Sequence, residues 1–168
     1  MSEQYVLSEA TAARFAREVA KYPADQKQSA VMACLAIVQQ EQGYVSRSSE
    51  DAIAAYLGMP AIAVYEVTTF YNMYNQKPVG QFKLNVCTNL PCQLRDGQKA
   101  LEHLCTKLGV EMGGTTADGV FTVQQSECLG ACADAPVMLV NDRQMCSFMS
   151  HQRLDELVDV LRANAAKN

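Results

Sequence analysis

Two pairs of cysteines, Cys87-x4-Cys92 and Cys128-x3-Cys132, are separated by 35 residues in the second half of this chain, and they restrict its fold more than any other feature. If both pairs serve one centre, the polypeptide must return from the first to the second so that four sulfurs meet. Thiolates are the ligands of iron-sulfur clusters, and four of them satisfy either the two irons of a 2Fe-2S unit or the single ion of a zinc site.

The remaining composition narrows the setting of that centre. A length of 168 residues allows one ordinary domain or two small ones, and an apolar fraction of 49% with 19% charged residues leaves ample material for a core. The net charge is −4, with six basic and eight acidic side chains in residues 1–79 and eight and ten in residues 80–168. No cluster of Lys or Arg interrupts this even balance, so the footprint of a nucleic-acid partner is missing. Glu3, Glu9 and Glu18 break up the first twenty residues, which lack the apolar core of a secretory signal. The longest apolar runs, such as residues 52–57, fall far short of the roughly 20 residues that a membrane span needs. These features predict a cytoplasmic protein without direct membrane insertion, in which thiols stay reduced. Seven cysteines in that setting suit metal ligation better than a disulfide framework.

Along the chain the hydrophobic period changes once. Phe15, Val19 and Tyr22 follow Ser8, a candidate N-cap, at helical spacing, and predict a helix over 9–21. A second, over 27–42, gathers Ala30, Val31, Cys34, Ile37 and Val38 on one side and stops at Gly43; Cys34 reads as a small buried hydrophobe. Ser48 and Ser49 offer a cap for a third helix that Gly58 closes, and Pro60 suits the first position of a fourth that runs to about Thr68. The aromatic and amide-rich segment 70–80 then marks a boundary, with Phe70, Tyr71 and Tyr74 expected to pack at the junction.

Beyond Gly80 the period shifts towards two. Phe82, Leu84 and Val86 alternate with polar residues in a strand that leads into Cys87, followed by a helix over 97–108. Further strands are expected over 120–124, 137–140 and 145–148, and a last helix over 151–163. The order is βαβββα, for which a sheet carrying helices is the natural layered solution. His103 and Cys105 on the first of these helices, and His151 at the start of the last, lack a second ligand at metal spacing and read as structural or surface residues. Neither histidine accompanies a nucleophile motif, and no Gly-rich phosphate loop follows a strand, so nucleotide chemistry has to come from a partner.

Both cysteine pairs read as loops after strands. Pro91 fixes its own φ in the first loop, and Gly130 permits a positive φ in the second, so that loop backbone can wrap a metal and aim N–H groups at sulfur. Spacing and loop character leave a 2Fe-2S cluster, a structural zinc ion and redox-reactive cysteines all open.

The run Cys87-Thr-Asn-Leu-Pro-Cys92, together with Glu127-Cys128-Leu-Gly-Ala-Cys132-Ala-Asp-Ala-Pro136, resembles the thioredoxin-like 2Fe-2S ferredoxin family. Within it, the chain is similar to the small flavoprotein-associated subunits of respiratory NADH:quinone oxidoreductase, complex I. Thr69-Phe70-Tyr71 and Pro78-Val79-Gly80 match two further stretches of those subunits, and the likeness covers nearly the whole chain. It implies an α+β protein: a helical bundle over residues 1–79, then a thioredoxin-like α/β domain over 80–168. It also implies that Cys87, Cys92, Cys128 and Cys132 bind one 2Fe-2S cluster, which exchanges single electrons with FMN on an NADH-oxidising partner subunit. Such a chain is part of an oxidoreductase without holding a complete active site. It sits among other peripheral-arm subunits on the cytoplasmic side of the membrane. Related diaphorase subunits of NAD-linked hydrogenases and formate dehydrogenases share this pattern. Residues 145–151 depart from the family's usual sequence there and place Cys146, expected as a buried strand residue, outside the ligand set.

Overall fold

Ser8 accepts a hydrogen bond from the Thr11 N–H and so starts helix α1, Glu9–Val19. The expected second helix begins as a 3-10 turn, Lys27–Ala30, before becoming α2, Val31–Gln42, which Gly43 ends in the left-handed conformation. Helix α3, Arg47–Leu57, is capped by Ser46 rather than by Ser48 or Ser49, because it is the Ser46 side chain that accepts from the Ser49 N–H. Pro60 stands just outside α4, Ala61–Phe70, in extended conformation. In this computed structural model, which describes residues 4–166, the chain divides between Pro78 and Val79 into two units.

The first unit buries Phe15, Cys34, Leu35, Val38, Ile53 and Val64 completely. Tyr74 belongs to the same core, its hydroxyl donating to the Met32 carbonyl at 2.9 Å. Phe70 differs from the expectation of junction packing: it is 78% exposed, with Tyr71 edge-on against it. Tyr22 is likewise exposed, since α1 ends three residues before it.

The second unit is built on a four-stranded sheet of order β2-β1-β3-β4. Strand β1, Phe82–Cys87, pairs parallel with β2, Phe121–Ser126, and antiparallel with β3, Met138–Val140, which in turn pairs antiparallel with β4, Gln144–Cys146. A parallel pair needs a crossover. Two helices fill it here, the single turn α5, Leu90–Gln93, and α6, Gly97–Leu108. Leu84 and Val86 of β1 pack with Ala100, Leu101 and Leu104 of α6 and with Leu154, Val158 and Leu161 of the last helix, α7, His151–Ala165. Strand β4 stops at Cys146, short of the expected residue 148. Phe148 takes a positive φ of 54°, which no strand residue can keep, and Ser150 then caps α7.

Candidate metal centre

The register of the parallel pair brings the cysteines together. Cys87 lies opposite Ser126 at the carboxyl ends of β1 and β2, so the segments that follow, each carrying further cysteines, leave the sheet at the same end. The antiparallel start of β3 lies there too, and the Cys87 N–H donates to the Val137 carbonyl at 3.1 Å. Clefts outside the carboxyl ends of parallel strands are where open sheets bind ligands.

The first pair does not occupy a loop as expected. Cys87 is the last residue of β1, and Cys92 lies in α5; both are buried, together with Ala135 and Val137. Proline in the first turn of α5 needs no N–H bond there, so Pro91 helps to set the turn that brings Cys92 inward. The second pair is more open. Cys128 is exposed in the loop after β2, and Cys132 is half-buried at the start of a 3-10 turn, Cys132–Asp134. Between them Gly130 has φ 75°, and its N–H donates to Cys128 Sγ at 3.4 Å. Leu129 and Ala131 of this loop pack against the cluster of Cys87, Cys92, Ala135 and Val137, which joins the two cysteine-bearing segments. On the outside, Asn89 Nδ2 donates to Glu127 Oε2 at 3.1 Å and links the same segments again.

Cys128 Sγ and Cys132 Sγ are 3.9 Å apart. Two sulfurs bound at ~2.3 Å to one tetrahedral metal would be about 3.8 Å apart, so this pair is already spaced for a single ion. Among the described residues no group of three or more His, Cys, Asp or Glu side chains is gathered to hold a metal ion. The thiols meet two by two, and a 2Fe-2S unit held by four cysteines gives two to each iron. Burial and neighbouring thiols act on Cys92 and Cys132. Burial, then the neighbouring Cys87, Cys132 and Cys128 thiols, push Cys92 up to about 11; contact with Cys128 followed by burial raises Cys132. Four thiolates crowded together repel one another unless a cation lies between them, and a bound metal deprotonates its thiols outright. The donor set therefore fits an iron-sulfur cluster.

Two further residues belong to this site without having stood out in the sequence. A Cβ on Gly97, the first residue of α6, would lie 2.7 Å from the Cys87 carbonyl oxygen and 2.9 Å from that of Cys92; glycine lets the helix close onto the end of β1 and onto α5. Its only sequence signal was a glycine opening a helix, where its propensity is poor. The Thr88 hydroxyl, directly after Cys87, is closed off from solvent and has no hydrogen-bond partner. The remaining thiols stand apart from the site. Cys34 is in the core of the first unit, Cys105 is half-buried on α6, and Cys146 is half-buried on β4, less enclosed than expected. His103 and His151 stack at 4.2 Å, and His103 Nε2 meets Asp155 Oδ1 at 2.8 Å, a structural arrangement between α6 and α7.

The sequence profile of thioredoxin-like 2Fe-2S ferredoxins matches residues 15–162. An NADH-quinone oxidoreductase subunit of Rhizobium meliloti is 41% identical over 144 residues, which cover 86% of this chain and 84% of that protein. NADH-quinone oxidoreductase subunit 2 of Thermus thermophilus is 38% identical over 144 residues, 86% of this chain and 80% of that one. Among solved structures, an NAD+-reducing NiFe hydrogenase in the H2-reduced state aligns with a TM-score of 0.67 at 20% identity. That alignment covers 80% of this chain and only 22% of the hydrogenase chain, and at such identity the likeness concerns the fold alone.

Proposed function

The chain belongs to the thioredoxin-like 2Fe-2S ferredoxin family, and on that premise we propose that it is an electron-transfer subunit of an NADH:quinone oxidoreductase, with its cluster held by Cys87, Cys92, Cys128 and Cys132. The observation that carries this reading is the β1–β2 register, which sends two cysteine-bearing segments out of the sheet at one end. When bound, the cluster supplies a one-electron store beside a flavin that receives electrons in pairs. The protein's own residues hold and shield it. Leu129, Ala131, Ala135 and Val137 pack around the buried thiols, and the Gly130 N–H already points at a ligand sulfur.

Oxidation of NADH belongs, in this reading, to a partner subunit that carries FMN. Exposed Cys128 gives the site an open edge, and Leu90 and Leu94, exposed on either side of Cys92, provide apolar surface there for the flavin-bearing subunit. Among the described residues no helix is long and apolar enough to cross a membrane. The chain then reaches the cytoplasmic face of the membrane through the other peripheral subunits.

Coexpression with the flavin-bearing subunit tests the assignment. The two chains are expected to elute as one complex containing flavin, iron and labile sulfide, and a stepwise redox titration should show electrons equilibrating between flavin and cluster. A cluster-loaded chain that never associates with the flavoprotein contradicts the partner; a colourless, zinc-loaded chain contradicts the cofactor.

A further inference from the structure

Buried hydroxyls in folded proteins almost always find a partner, because leaving one unpaired costs the full desolvation of the group. Most other buried hydroxyls among the described residues follow this rule. Buried Thr68 donates to the Val64 carbonyl one turn back, buried Thr11 donates to Glu41 Oε2, and buried Thr122 bonds to Thr115. Thr88 Oγ1 breaks it: the atom is shut off from solvent, yet no donor or acceptor reaches it. Among the described residues only the Tyr5 hydroxyl, in the helical unit, shares that condition.

The position of Thr88 identifies what is missing. It directly follows Cys87 and precedes Cys92 by four residues, at the end of β1 where both ligand segments leave the sheet. Its backbone is already engaged, the N–H donating to the Ser126 carbonyl at 3.2 Å. Nor does the next turn use the hydroxyl, since α5 starts without a side-chain cap. A hydroxyl rotor can donate in any direction around its C–O bond, so it requires an acceptor that the polypeptide itself does not contain. Cluster sulfurs are such acceptors, and hydrogen bonds to them are among the factors that set the reduction potential.

We propose that the Thr88 hydroxyl donates a hydrogen bond to a sulfur of the bound cluster and raises its reduction potential. Reduction adds one negative charge to the cluster, which makes its sulfurs better acceptors; the bond therefore favours the reduced form. This inference rests on the cluster assignment above.

Thr88→Val, Thr88→Ala and Thr88→Ser, made in the full chain and loaded anaerobically, test it through iron content and an EPR-monitored midpoint titration. The valine and alanine variants are expected to keep their iron while the reduction equilibrium falls by up to about tenfold, ~59 mV for a one-electron couple. Serine, which restores the donor, should return the wild-type potential. Loss of iron from both apolar variants, with serine loading normally, also supports the bond as one the cluster depends on. A wild-type potential in fully loaded valine and alanine variants overturns the proposal, as does a loss of iron from those two that serine does not restore. A wild-type chain with no cluster overturns the cofactor assignment beneath it, which is separately visible before any variant is made.

Discussion

Seven thiols share this chain, and what each one touches separates four of them from the other three. Cys34 is fully buried among aliphatic side chains, and burial, followed by the charge of Glu18, pushes its thiol up to about 12. It is therefore a neutral, inert hydrophobe at physiological pH. Burial, then Glu102, raises Cys105, and burial raises Cys146. Serine at any of these three positions should leave the iron content unchanged, with Cys34→Ser destabilising the fold by about 1–3 kcal/mol through a buried hydroxyl. Cys128→Ser should lose most of its iron, because the pair at 3.9 Å then has one thiol instead of two. Iron analysis of the four purified variants checks both statements together. At this scale the candidate ligand cysteines were legible because spacing in the sequence already groups them. Thr88 was not, because the closing of solvent over its hydroxyl is a product of tertiary folding that no local pattern records.

Among the elements, α6 bears most directly on the site. Gly97→Ala would set a methyl group against two backbone carbonyls, and backbone cannot swing aside as a side chain can. Overpacking of this kind costs about 1–3 kcal/mol. A lower melting temperature and reduced iron per chain are expected together; a loaded variant with wild-type melting would show that α6 can shift freely. Away from the cysteines, Asp118 fastens the loop before β2. It accepts from the Thr116 hydroxyl and the Val120 N–H and pairs with Arg162 of α7. The Thr116 bond first, then the Val120 bond, and also Arg162, hold its carboxyl down at about 2, against 3.8 for the ordinary group. A depressed carboxyl stabilises the fold above its unfolded value and loses that contribution as pH falls through the folded one. Melting of wild type and Asp118→Asn should accordingly differ at pH 5 and converge between about pH 4 and 2. Curves that stay parallel through that range would contradict the role of Asp118. Most strand and helix identities were legible from period and turn residues; α5, a single turn, is too short to show a period. The ends of the elements were less so: Ser46, not its serine neighbours, has the geometry to cap α3, and the left-handed Phe148 cuts β4 short. Both depend on backbone angles, which sequence period does not report.

For the molecule as a whole, each unit has a hydrophobic core of its own, and all four candidate ligands lie in the second. We therefore expect residues 79–168, expressed alone, to fold and to take up iron and sulfide, with cooperative thermal unfolding as the check. A fragment that stays unfolded would make the helical unit a requirement of the second rather than a neighbour. The change of period near Gly80 is visible in the sequence, whereas the convergence of the two cysteine pairs depends on a parallel register that sequence alone does not show. The most direct test of the central claim is EPR of the dithionite-reduced, anaerobically purified chain, quantified against iron and sulfide. About two irons and two labile sulfides per chain and one unpaired electron are expected, with most of each lost in Cys128→Ser. A stoichiometric zinc ion with no paramagnetic signal on reduction would contradict it.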